Sequence, residues 1–344
     1  MGAPKDKGKG KTMAYRPLSW VVALDGGTTN TRARLLRDGL IVATARRPFG
    51  ARDAALSATG ARNLATTVRD VISEVLHSAG GIRPDAVVAA GMLSSESGLA
   101  HVPHLTAPAG VAELASAAPT IDLPEVAGAP ILFVPGVRTL PTAGPDGWAD
   151  ADMMRGEECE TLGALGLINA KGPVVFVWPG SHTKLVLVDE LGRVACSYTT
   201  LAGEMTTALA RHTLIAASLP EILPDEPDGP AFEAGVRLVE RDGLGRCGFL
   251  VRVAAVNGVL DLPRRAAFWV GSVIGDDVVQ LVRHPLLRDR VPVWVGGGAT
   301  LRRLYTLAFA ALHDGPVHPL SDDDAERASA LGALAVARRV RERR

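Results

Sequence analysis

Residues 21–46 and 174–200 carry one short plan twice, and this duplication narrows the folds open to a 344-residue chain more than any other feature. The first copy reads VVALDGGTTNTRARLLRDGLIVATAR and the second VVFVWPGSHTKLVLVDELGRVACSYTT. Each opens on an apolar run of the kind that fills a buried strand. A tight turn with small hydroxyl residues follows: Gly26-Gly27-Thr28-Thr29 in the first, Pro179-Gly180-Ser181-His182-Thr183 in the second. A second apolar run, a polar turn (Asp38-Gly39; Asp189-Glu190-Leu191-Gly192) and a third run complete each copy. The expectation is strand–loop–strand–turn–strand, twice, about 150 residues apart. Two Gly/Thr loops at corresponding places in two related halves can grip one phosphate chain from both sides. That geometry points to nucleotide chemistry in a cleft between domains.

The chain is long enough for two domains, each with its own core. Lys plus Arg and Asp plus Glu both number 37, so the formal charge is zero, which argues against a nucleic-acid partner. No apolar run reaches the ~18 residues of a membrane-spanning helix, so no membrane partner is expected. Cys159, Cys196 and Cys247 are scattered without metal-ligand spacing and suit a reducing cytoplasm. Residues 1–18, rich in lysine and without the apolar core of a signal peptide, read as a disordered basic tail. The N-terminal domain is expected at 19–150 and the C-terminal domain at 151–344.

Between and after the two units, strands alternate with helices. Residues 57–79 predict a helix with Leu64, Val68, Val71, Ile72 and Val75 on one face. Strands are expected at 86–90 and 130–134, a loop at 137–152, and a helix at 153–168. In the second half, helices are expected at 203–217, 266–284, 299–312 and 322–340, and strands at 291–295 and 316–320. The class is α/β, with a five-stranded mixed sheet in each half.

The segments DGGTTNTR, MRGEE (154–158), PGSHTK (179–184) and the Gly-rich turn after residue 295 together resemble the 2-dehydro-3-deoxygalactonokinases. These are sugar-acid kinases of the actin–hexokinase–Hsp70 superfamily. The resemblance runs from about residue 19 to 338. It implies two ribonuclease H-like domains of the actin-like ATPase and sugar-kinase fold around an interdomain cleft. It further implies ATP and Mg²⁺ as cofactors, and transfer of the γ-phosphoryl to the 6-hydroxyl of 2-dehydro-3-deoxy-D-galactonate. A homodimer is left open.

The residue chemistry agrees with that implication. Asp25 closes an apolar strand, so its carboxylate can hold a hydrated Mg²⁺. Gly26 and Gly27 let backbone N–H groups approach phosphate oxygens, and Thr28 and Thr29 add hydroxyl donors. An ordinary hairpin turn explains this loop taken alone; the second loop in register argues for phosphate. There, Gly180, Ser181, His182, Thr183 and Lys184 supply hydroxyls and a cation that neutralises charge during transfer. His182 reads equally as a structural histidine. By resemblance, Gly296, Gly297 and Gly298 face the adenosine. Gly271 and Gly275, four apart, permit close helix approach, either at an interdomain hinge or in simple packing.

The acceptor hydroxyl needs a carboxylate to take its proton. Asp152, Glu157 and Glu158 are the candidates, in the segment that MRGEE places in the cleft. A helix N-terminus favours acids for structural reasons too. Arg155 would read the substrate carboxylate or orient a catalytic acid, Arg32 is the second candidate for the carboxylate, and Asn30, Met92 and Ser94 are further acceptor-side contacts. The chain departs from the family pattern at Gly26 (commonly aromatic), Ser94 (commonly glycine), Leu99 (commonly tryptophan) and Ala202 (commonly threonine). An altered sugar pocket is therefore expected. A kinase for another sugar or sugar acid, a superfamily phosphohydrolase and a non-catalytic sensor are the competing readings. The hydrolase lacks a basic track for a polyanion, and the sensor lacks a helix-turn-helix signature.

Overall fold

The structure, a computed structural model, describes residues 18–170 and 173–343. The expected tail lies outside them except for its last position. The first duplicated unit forms an antiparallel meander of β1 (Trp20–Gly26), β2 (Thr31–Arg37) and β3 (Leu40–Arg47). The short α1 (Ala51–Ala55) leads to α2 (Gly60–Ser78), whose Leu64, Val68, Val71, Ile72 and Val75 are all buried. β4 (Ala86–Gly91) returns parallel to β1, with Asp25 beside Ala90 and Gly26 beside Gly91. Next come β5 (Leu105–Thr106), α3 (Val111–Ala117), β6 (Thr120–Ile121), α4 (Pro124–Ala127) and β7 (Ile131–Phe133). β8 (Val137–Thr139) then pairs with β5, and β9 (Asp152–Met154) with β8, in a small separate sheet.

α5 (Glu157–Ile168) opens the second half. The second unit forms β10 (Val174–Trp178), β11 (Thr183–Val188) and β12 (Val194–Thr200). α6 (Ala202–His212), α7 (Gly229–Asp242), α8 (Leu244–Val256) and α9 (Leu262–Arg283) follow. β13 (Val293–Val295), α10 (Ala299–Leu312), β14 (Val317–Pro319) and α11 (Asp322–Glu342) close the chain.

The second large sheet repeats the order of the first five strands of the first. The first runs β3-β2-β1-β4-β7-β6 and the second β12-β11-β10-β13-β14. β1 and β10 each pair antiparallel with the next strand and parallel with a later one. The duplicated units therefore occupy equivalent places in different sheets. The first sheet has six strands rather than the expected five, because β6 adds antiparallel to β7. A two-residue strand is too short to show alternation in sequence. For the same reason the stretch expected as loop at 137–152 hides β8 and the start of β9. Gly156, at φ +119°, separates β9 from α5, so that helix starts at 157 rather than 153.

α11 runs back from the second half and packs on α5, α3, β1 and β4. Its crossing with α5 is a backbone contact. A Cβ on Gly163 would lie 1.8 Å from the Ala328 carbonyl oxygen, and one on Gly332 would lie 2.0 Å from that of Cys159. Gly271 and Gly275 play a different part. Their close contacts are to Phe232 and Val236 of α7, so they serve packing within the second half and not an interdomain hinge. One continuous apolar cluster runs from Val21 and Val88 through Cys159, Ala328 and Ala333 to Phe176 and Val186.

Replacing Gly332 with Val should overpack this crossing and destabilise the protein by about 1–3 kcal/mol or more. Gly166→Ala, on α5 where no atom lies within 4 Å of an added Cβ, should leave stability unchanged or raise it. Thermal melts of the two variants measure this, and equal midpoints would show that α5 and α11 do not meet there.

Candidate active site

The two Gly/Thr loops leave the carboxyl ends of β1 and β10, where open α/β sheets place their ligands. Between them lies a cleft of about 760 Å³. Asp25, Gly26, Gly27, Thr28 and Met92 line one wall, and Arg155, Glu157, Glu160, His182 and Lys184 the other. Each loop rests on the first turn of a helix. The Ala51 and Arg52 N–H groups donate to the Gly27 and Thr28 carbonyls, and a Cβ on Gly50 would strike Thr28 O at 2.5 Å. In the second half the Glu204 N–H donates to Ser181 O, and a Cβ on Gly203 would lie 2.0 Å from Gly180 O. Across the gap Arg52 reaches Glu204 at 3.5 Å, and Glu204 lies 3.3 Å from His182 Nε2.

The candidate acids separate by position. Glu157 lines the cleft, and its carboxylate accepts the Arg155 N–H at 3.1 Å. Burial raises its pKa, against the opposing pull of Lys184. Glu158 is fully buried and accepts the Gly156 N–H at 2.7 and 3.0 Å, so it does not face the cleft. Asp152 accepts from Thr199 Oγ1 at 2.9 Å; that hydroxyl in turn accepts from Lys184 Nζ at 2.9 Å. Asp152 therefore buttresses Lys184 from outside the cleft lining. Glu160, missed in the sequence, lines the cleft, and burial and the nearby Asp25 hold its pKa well above the ordinary value. Its spacing of three from Glu157 on a helix was the signal that could have found it.

Asp25 keeps part of its surface open at the strand end, with Arg34 Nη1 3.9 Å away. That Nη1 is buried and has no hydrogen-bond partner among the described residues. Among the described residues no group of three or more His, Cys, Asp or Glu could enclose a metal. A single carboxylate such as Asp25 still matches Mg²⁺, which keeps several waters and takes substrate phosphates as its other ligands.

The arginines expected to read the substrate are engaged elsewhere. Arg155 donates from Nη1 to Ser94 O and Oγ at 2.8 and 2.7 Å, and from Nη2 to Val102 O at 2.9 Å, with His104 Nδ1 at 3.2 Å. Four of its five N–H groups are thus occupied. Arg32 pairs with Glu326 of α11. Asn30 bonds Thr29 and Arg46 and does not line the cleft. Ser94 is fully buried, its hydroxyl donating to Gly91 O, so it cannot touch a substrate. That side of the cleft is lined instead by Met92, Ser95, Glu96, Ser97, His101 and His104. Nothing in the spacing of those last five residues marks a site in sequence.

In the second loop, Thr183 is buried and shares a hydrogen bond with Tyr305, which donates to Asp277. Gly180 and Ser181 lie outside the cleft lining, while His182 and Lys184 face in. The glycine turn splits likewise. Gly296 is buried, and an added Cβ would sit 2.1 Å from the Trp178 ring, so its missing side chain makes room for tryptophan rather than for a base. Gly297 adopts φ +76°, which favours glycine, and Gly298 is open. Beside this turn lies a second hollow of about 400 Å³, lined by Thr300, Arg302, Arg303 and Glu226.

The departures at Gly26 and Ser94 are absorbed by packing. A Cβ on Gly26 would lie 2.5 Å from Leu93 Cγ, so the buried Leu93 takes that space, and the Ser94 hydroxyl anchors Arg155.

A profile described as 2-keto-3-deoxy-galactonokinase matches residues 25–335. The chain belongs to the 2-keto-3-deoxy-galactonokinase family. It is 27% identical over 326 residues to a Rhizobium meliloti protein named as a probable 2-dehydro-3-deoxygalactonokinase, covering 93% of this chain and 97% of that one. A crystal structure of a Sinorhizobium meliloti protein assigned the same activity superposes with a TM-score of 0.75 at 24% identity. It covers 92% of this chain and 98% of its own. That likeness shows the shared fold. As a member of this kinase family the protein is a phosphotransferase that uses ATP and a small-molecule acceptor. No helix among the described residues is long and apolar enough to cross a membrane.

Burial and the adjacent Glu157 raise the Glu158 pKa from 4.5 to about 8. The folded state then holds a proton that the unfolded state releases, so stability should fall as pH rises from about 4.5 to about 8. Glu158→Gln should flatten that fall in denaturant melts taken across the range. An unchanged slope would mean that Glu158 is ionised in the fold.

Proposed function

We propose that this family member transfers the γ-phosphoryl group of ATP to the C6 hydroxyl of 2-dehydro-3-deoxy-D-galactonate, in the cytoplasm. The P–O bond to ADP breaks, a P–O bond to the C6 oxygen forms, and the hydroxyl proton passes to Glu157. One observation supports Glu157 above the other candidates: of Asp152, Glu157 and Glu158, it alone lines the cleft. Its raised pKa makes it a better proton acceptor at neutral pH than an ordinary carboxylate.

The two lobes divide near residue 150, with α11 returning to the first. Gly27 and Thr28 on one side, and His182 and Lys184 on the other, hold the phosphates. Lys184, kept in place by Thr199 and the Met153 carbonyl, stabilises the charge that develops on the transferred group. Asp25 anchors Mg²⁺, which when bound neutralises the phosphate oxygens. The hollow beside Gly297 and Gly298 takes the adenosine. The acceptor lies against Met92 and the 95–104 segment, so that its terminal alcohol meets Glu157.

Purified protein with Mg²⁺ and ATP should form ADP in step with a 6-phosphorylated sugar acid. Glu157→Gln should lower kcat by about a hundredfold, which corresponds to about 2.7 kcal/mol, and change KM by no more than about twofold. Transfer to a neutral hexose but not to the acid would refute the substrate. A variant with near-normal kcat would remove Glu157 as the base.

A further inference from the structure

His104 stands just before β5 and lines the acceptor side of the cleft beside Ser95, Ser97 and His101. Its Nδ1 lies 3.2 Å from Arg155 Nη2. A guanidinium has donors and no acceptor, so Nδ1 must accept and the ring proton must sit on Nε2. Arg155 is itself fixed, because its other bonds run to Ser94 and Val102. The Cδ2–Nε2 edge of the imidazole lies against Gly136, where an added Cβ would come within 2.7 Å of Cδ2 and 3.0 Å of Nε2, so the missing side chain makes room for the ring.

Three neighbours act on the ring, and each disfavours its protonation. Arg155 approaches from the segment before α5, Arg138 from β8 and His101 from the same segment as His104. Burial is the larger influence, and together they lower the pKa to about 4. The imidazole is therefore neutral across the neutral pH range, with a fixed tautomer. Its Nε2 has no hydrogen-bond partner among the described residues.

We propose that His104 is a substrate-binding residue whose Nε2–H donates to an oxygen of the keto-acid end of the acceptor, and that Arg155 is the positioning residue that fixes this tautomer. The inference rests on the sugar-acid reading above. Ketone and carboxylate oxygens only accept hydrogen bonds, so a donor that cannot change tautomer matches them. It also gives Arg155 a part in recognition, although its own N–H groups are spent on protein partners.

Nitrogen-resolved histidine spectra of the full-length enzyme should show His104 as the Nε2–H form, without titration between about pH 5 and 8. Adding 2-dehydro-3-deoxy-D-galactonate should shift that Nε2 resonance. His104→Phe should raise KM for the acid about tenfold and leave KM for ATP unchanged, while His104→Gln, which keeps an N–H donor at similar reach, should recover most of the loss. Arg155→Met should free Nδ1, so that the Nδ1–H form appears beside the Nε2–H form, and should raise the His104 pKa only part of the way, because burial still holds it down. An Nδ1–H form or neutral-range titration in the wild type would overturn the proposal, as would an unchanged KM for the acid in His104→Phe. If the wild type phosphorylates no sugar acid, the substrate reading fails instead; a resonance the acid leaves unmoved would then take this inference with it.

Discussion

The architecture depends on the contact between α5 and α11. Gly163 and Gly332 let the two helices touch backbone to backbone, closer than any side chain would allow. The first turn of α5 carries Glu157, Glu158 and Glu160. α11 carries Glu326, which fixes Arg34 behind Asp25. The acids of the cleft are therefore set by the seating of two helices against each other. A shift at the crossing would move Glu157 and Glu160 relative to Asp25.

Around that crossing the fold repeats itself, and the repetition sets the electrostatics. Each half offers a loop at the end of its central strand, and each loop is seated on a helix start through a glycine, Gly50 or Gly203. The surroundings of the loops differ. The first stands with the carboxylates, Asp25 and the nearby Glu160. The second brings His182 and Lys184. On the proposed function, a phosphate chain between them would face the positive charge of Lys184 on one side, and the acids would stand where a metal and an acceptor hydroxyl are wanted.

Much of this was legible in the sequence because it rests on local pattern. The duplicated units, the two loops, α2 and α10 follow from apolar spacing and turn residues. Features that depend on distant partners were not legible. Arg155 reads as a substrate arginine beside four acids, yet its donors go to Ser94, Val102 and His104, more than fifty residues earlier. The α5–α11 crossing uses Gly163, Ala328 and Gly332, small residues that leave no hydrophobic period. Gly296 reads as room for a base and proves to be room for Trp178. Ser95, Ser97, His101 and His104 share a wall only because β4 and β5 hold both ends of their segment.

The central claim is that one nucleotide's phosphates are held by both loops of the duplicated unit at once. A crystal structure with Mg²⁺ and a non-hydrolysable ATP analogue tests it most directly. The account predicts phosphate oxygens within hydrogen-bonding distance of the Gly27–Thr28 backbone on one side and of the His182–Lys184 segment on the other, with the metal beside Asp25. Phosphates bound by one loop alone, with the other facing solvent, would contradict it.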